Sequence, residues 1–140
     1  MMKQINFIIA IATFNRVNNL KVVIDSILKQ KLKKNINLEV VISNSCSTDE
    51  TSSFLESLKT NKQFHIHNKS EKIPNNILSQ FINFENLSKT IPEHADCVWW
   101  LGDDDKLVNN NSVQCVVDTI MENDEDCLLY TSDAADEKRW

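Results

Sequence analysis

Glycine is almost missing from this 140-residue chain, where Gly102 is the single one. A glycine- and basic-rich phosphate loop after the first strand is therefore excluded, and the segment TFNRVNN that stands there has neither property. The four cysteines, Cys46, Cys97, Cys115 and Cys127, contain no CxxC pair, which argues against a zinc site or a disulfide framework and fits a reducing cytoplasm. Clustered basic charge is also lacking. With a net charge of -5 and a pI near 5.1, the chain has no electrostatic footprint for nucleic acid or anionic lipid. The densest basic run, Lys29 to Lys34, reads as a solvated helix end. No apolar stretch approaches the ~20 residues of a membrane span. Lys3 and the run Ile5 to Ala12 superficially resemble a secretory leader, but the run is short and interrupted by Asn6.

What is present is a 41% hydrophobic, 25% charged composition, in the range of a soluble globular domain with one core. Asn and Lys are abundant and Arg is rare, the bias of an AT-rich coding sequence. The segment Cys127 to Glu137, CLLYTSDAADE, breaks that style with an alanine pair and resembles the translation of a transposase adapter used in sequencing libraries. Residues 127 to 140 are accordingly expected to be a non-native tail, and the natural chain to continue differently after Asp126. A native strand over Leu128 to Thr131 is the competing reading.

Within residues 1 to 126 the periodicity alternates. Ile5 to Ala12 is a nearly continuous apolar run rich in β-branched residues, the mark of a strand buried on both faces. Leu20, Ile24, Ile27 and Leu28 recur at helical spacing from Val17 to about Lys31, with Asn15 placed to cap the start. Leu38 to Ile42 predicts a second strand, and Thr48-Asp49-Glu50 opens a helix carrying Phe54, Leu55 and Leu58. Phe64 to His67 predicts a weaker strand. A polar loop with Pro74 then leads to a helix near Ile77 to Thr90, ended by Pro92. Cys97 to Leu101 predicts a fourth strand, and Val113, Val116, Val117, Ile120 and Met121 a last amphipathic helix. Such alternation implies an α/β fold, a mostly parallel sheet with helices on both faces.

Ligands of such sheets bind beyond the carboxyl ends of the strands. That rule singles out Thr13 to Arg16, Asn44 to Asp49 and Asp103 to Asp105. Three adjacent carboxylates repel one another unless they project into water or share a divalent cation, and hard cations such as Mg2+ or Mn2+ prefer oxygen ligands. An EF-hand is excluded, because counting from Asp103 puts Leu107 and Val108 where an oxygen ligand and a glycine belong. His65 and His67 share a strand face without an evident third ligand, so ordinary strand packing is the expectation. Trp99 and Trp100 should pack on opposite faces.

IATFNR, ISNSCSTDET and WWLGDDD, in this order and separation, resemble family 2 glycosyltransferases of GT-A fold over residues 5 to about 125. The resemblance implies inverting transfer of a sugar from a nucleotide-diphosphate donor to an acceptor hydroxyl, with Mg2+ or Mn2+ as cofactor. It assigns Asp103 and Asp105 to the ends of the metal-binding DXD motif, Asp105 being the direct ligand, with Asp104 near the ribose. Thr13, Phe14, Asn15 and Arg16 would line the nucleotide, Phe14 stacking on the base or packing in the core. Asp49 would stand near the nucleotide or serve as a helix N-cap. Relatives commonly carry Asp then Asn where this chain has Asn44 and Ser45, so the Asn44 oxygen would accept from the base less strongly than a carboxylate.

UDP is the expected nucleotide. Asn83, Glu85 and Asn86 are further candidates to approach the donor. The catalytic base of similar enzymes lies well past the DXD motif, and is expected beyond Asp126. The acceptor, carbohydrate or lipid-linked, is open; cell-surface polysaccharide synthesis in a bacterium is what the family suggests, in the cytoplasm or peripheral to the inner face of the membrane. Two competing readings are a sugar-phosphate nucleotidylyltransferase and a non-catalytic nucleotide- or sugar-binding module.

Overall fold

The computed structural model describes residues 3–45, 47–69 and 76–123. The expected tail from 127 to 140 and the Pro74 loop lie outside them. Strand β1 (Ile5–Thr13) is followed by α1 (Val17–Leu28), β2 (Ile36–Ser45), α2 (Thr51–Leu58), β3 (Phe64–Lys69), α3 (Asn76–Thr90), β4 (Cys97–Trp100) and α4 (Ser112–Asn123). The four strands form one sheet in the order β3-β2-β1-β4, and every pairing is parallel. The α/β alternation read from the sequence is thus present, with α1 stopping at Leu28 and β2 longer than its apolar run at both ends.

Strand β1 is central, which explains its nearly continuous apolar character. Phe7, Ile9 and Ile11 face one side and Ile8 and Ala10 the other, all of them buried. On the first side, α1 contributes Leu20, Val23, Ile24 and Ile27, α2 contributes Leu55, and α4 contributes Val113 and Val117. Leu87 of α3 covers the second side together with Ile91, Ala95 and Trp100. Removing a fully buried leucine such as Leu87 from a core of this kind costs about 2–5 kcal/mol. Trp99 and Trp100 diverge as the strand period requires: Trp99 meets Phe7 edge-on at 6.4 Å on one face, and Trp100 lies 6.2 Å from Phe84 of α3 on the other. Among the described residues no helix is long and apolar enough to cross a membrane.

Candidate active site at the strand switch

Chain order places the site. The sheet grows from β1 through β2 to β3 in one direction, and the chain then returns to lay β4 on the other side of β1. Strand order reverses between β1 and β4, the kind of position at which open parallel sheets take ligands in the crevice beyond the carboxyl ends of their strands. Thr13 to Arg16 forms one wall. Leu101 to Asp105 forms the other, held close by a bond from the Leu101 N–H to the Ala10 carbonyl at 2.9 Å.

Asp103 is the junction of the two walls. Its Oδ2 accepts the Thr13 hydroxyl at 3.0 Å, and Arg16 Nη1 stands 3.5 Å from its Oδ1. The Phe14 backbone N–H donates to it as well. Burial pushes the Asp103 carboxyl above its ordinary range, and the nearby Asp104 charge adds to that, while Thr13, Arg16 and Phe14 offset part of it. Asp104 is exposed and reaches the same Arg16 nitrogen at 3.2 Å. Asp105 folds back on its own turn, where its Oδ2 accepts the Gly102 N–H at 3.1 Å. One guanidinium therefore balances two of three successive carboxylates, which limits their mutual repulsion. Phe14 is 45% exposed, so core packing does not hold its ring.

Asn15 and Asp49 join the β1–α1 turn to the β2–α2 turn. Asn15 stands at φ 51°, the left-handed region that asparagine tolerates better than most residues. Its Oδ1 accepts the Thr48 N–H at 2.6 Å and the Asp49 N–H at 3.2 Å. Asn15 does not cap α1 as expected from its position. The N-cap residue is Arg16, with no capping bond from its side chain, and Asp49 Oδ2 accepts the Val17 N–H from the neighbouring loop at 3.2 Å. The other oxygen of Asp49 takes the Thr51 N–H at 2.9 Å and the Thr51 hydroxyl. These bonds hold the Asp49 carboxyl below its ordinary range, against the opposing effect of burial.

Asn44 is fully buried at the end of β2. Its Oδ1 accepts the Ser47 hydroxyl at 2.5 Å, and its Nδ2 donates to Ser52 at 3.0 Å and to Asn68 at 2.8 Å. The Ser47 hydroxyl also accepts the Asn15 N–H at 2.9 Å. Asn83, beneath the crevice, accepts from Ser43 at 2.6 Å and donates to the Thr13 carbonyl at 3.1 Å, whereas Glu85 pairs with Lys89 on the surface of α3. Ser47 lies within the Asn44 to Asp49 segment marked by the sequence, whereas Ser52 and Asn68 had no signal there, since serine and asparagine are common in this chain and their convergence on Asn44 depends on the packing of α2 and β3 against β2.

Among the described residues no three acidic, histidine or cysteine side chains converge into a metal cage. A Mg2+-type cation does not require one, because it keeps several waters and binds through one or two carboxylates plus substrate phosphates. The oxygen donors of Asp103 and Asp105, in a turn whose glycine leaves room for a carboxylate, fit such an ion.

Comparison with solved structures finds the same fold in glycosyltransferases. S. aureus TarS superposes with a TM-score of 0.62 at 21% identity, over 86% of this chain and 33% of that one. TarS in complex with UDP gives 0.61 at 21% identity, over 86% and 32%. The mannosyltransferase PcManGT from Pyrobaculum calidifontis, in complex with GDP-Man and Mn2+, gives 0.64 at 17% identity, over 86% and 33%. The chain thus spans about a third of the length of these structures. Comparison with curated protein sequences gives no match. Residues 8–82 match the family described as Glycosyl transferase family 2, a segment that ends before the acidic turn. Since that segment covers more than half of the chain and contains both the Thr13 to Arg16 and the Asn44 to Asp49 turns, this chain belongs to glycosyl transferase family 2.

Proposed function

We propose that residues 1–126 are the nucleotide-sugar-binding part of an inverting glycosyltransferase, which moves a sugar from a nucleotide diphosphate, UDP first, to an acceptor hydroxyl. The observation that carries this reading is the meeting of Asp103 with Thr13, Phe14 and Arg16 at the point where strand order reverses. Solved neighbours hold UDP, UDP-GlcNAc or GDP-Man, and one holds Mn2+.

In this reading Asp103 and Asp105 would hold Mg2+ or Mn2+, which supplies neutralisation of the charge that grows on the leaving diphosphate. Thr13 and the Phe14 N–H keep the Asp103 carboxylate aimed at the crevice. The Phe14 ring, free of the core, offers a face to the base. Arg16 and Asp104 border the diphosphate and ribose. Asn15 and Asp49 act by holding the two turns together. The expectation that Asn44 accepts from the base is replaced by a supporting role beneath the pocket, because Ser47, Ser52 and Asn68 already engage its amide. No described residue is assigned as the base that takes the acceptor proton.

Calorimetry with UDP, in Mn2+ and in chelator, tests the reading. Metal-dependent affinity that disappears in Asp105→Ala is the expected outcome. Binding that ignores both the metal and the substitution would reduce the acidic run to a solvated loop. Preference for GDP over UDP would keep the metal assignment and change the donor.

A further inference from the structure

Gly102 is the one glycine of the chain, and its backbone does not explain it. Its φ is not positive, and the left-handed position of the site is taken by Asn15 instead. Ordinary reasons for glycine in a turn are therefore absent. Space is the reason. A Cβ at residue 102 would stand 2.7 Å from Asp105 Oδ2 and 3.0 Å from Asp104 Oδ1. Both contacts are with the ends of short, movable side chains and not with backbone. An added methyl group would thus displace carboxylates while the strand and turn keep their path.

The two residues are also bonded reciprocally. The Gly102 N–H donates to Asp105 Oδ2 at 3.1 Å, and the Asp105 N–H donates to the Gly102 carbonyl at 3.2 Å. A side chain at 102 would occupy the place where the Asp105 carboxylate reaches that N–H. From this geometry we infer that Gly102 is a positioning residue of the acidic turn: the hydrogen atom in place of its Cβ leaves the space in which Asp105 is oriented for a divalent cation and a nucleotide diphosphate. The inference rests on the metal role assigned to Asp105 above. It adds that the orientation is set by a residue that itself offers no ligand to the ion.

The experiment compares the unmodified chain with Gly102→Ala, Asp105→Ala and the double variant, by calorimetry with UDP in Mn2+ and in chelator and by thermal melting. Gly102→Ala is expected to weaken the Mn2+-dependent binding of UDP by roughly 10–100-fold, the range for residues that orient a ligand without touching the metal. Its Tm and its affinity for UDP in chelator should match the unmodified chain, and it should add nothing in the Asp105→Ala background. Unchanged Mn2+-dependent binding in Gly102→Ala, beside its loss in Asp105→Ala, overturns the role of Gly102 and leaves the metal assignment standing. Metal-independent binding in all four proteins overturns both. If Gly102→Ala lowers Tm, the double variant decides: restored stability on removing the Asp105 carboxylate supports the steric account, and a persisting loss shows that Gly102 serves the fold alone.

Discussion

Asn15 and Asp49 secure each other's loops, Asn15 by accepting the N–H groups of Thr48 and Asp49, and Asp49 by accepting the N–H of Val17. The two turns at the carboxyl ends of β1 and β2 therefore behave as one unit, although 34 positions separate the two residues in sequence.

Asp49→Ala should destabilise the chain by about 1–2 kcal/mol, the scale of a lost helix cap, because Val17 and Thr51 both lose an acceptor. Asn15→Ala should cost more than Asn15→Gly by roughly 1 kcal/mol, since alanine pays for the left-handed backbone that glycine adopts freely. Urea denaturation of the three variants checks the order. Strict additivity of Asn15→Gly with Asp49→Ala would show that the two turns are independent.

Asn44→Asp should destabilise by about 1–3 kcal/mol. The new oxygen replaces a donor and faces Asn68 Oδ1 from a position now 2.8 Å away. Thermal melting measures the loss, and calorimetry should show no gain in UDP affinity. A variant that melts normally and binds UDP more tightly would return residue 44 to contact with the base.

Acid should unfold the chain partly through Glu39, on the α3 side of the sheet and away from the crevice. Its two oxygens meet His65 Nε2 at 2.7 Å and His94 Nε2 at 2.5 Å, and Asn37 donates to it at 3.3 Å. Burial raises its pKa, but the bonds and charges of the two histidines outweigh that and hold it below the ordinary glutamate value. A depressed carboxylate stabilises above its unfolded pKa, and the contribution is lost as pH falls through the folded one. Denaturation followed from about pH 6 to about pH 3 should show this loss at the low end, and Glu39→Gln should flatten that part of the profile. An unchanged profile would mean that other carboxylates dominate.

Arg16→Ala should leave stability within ~0.5 kcal/mol, because its pairs with Asp103 and Asp104 are partly exposed. It should tighten Mn2+ binding in the absence of nucleotide, since the competing cation is gone, and weaken UDP binding in its presence. Calorimetry with each ligand alone separates the two effects. Weaker Mn2+ binding in the variant would show that Arg16 organises the carboxylates instead of competing for them.

Element order and the three polar strand ends were legible in the sequence because both depend on local pattern. A run such as Ile5 to Ala12 has to be buried on both faces, and the spacing of Leu20, Ile24 and Ile27 has one apolar side only as a helix. The acidic run after Trp100 was equally visible, since carboxylates cannot continue a buried strand. Tertiary structure decided which side chains are left to act. Asn44 reads as a polar residue at a strand end, yet β3 and α2 bring Asn68 and Ser52 onto its amide and consume it. Asp49 reads as the cap of its own helix, yet the adjacent turn delivers the Val17 N–H to its second oxygen. Pattern in sequence records whether a position faces water or core, and the partners of the site's polar groups come from segments 8 to 90 residues away. A hydrogen bond is satisfied by distance and angle in space, so its partners were fixed only when the parallel strands β1, β2 and β3 came into register.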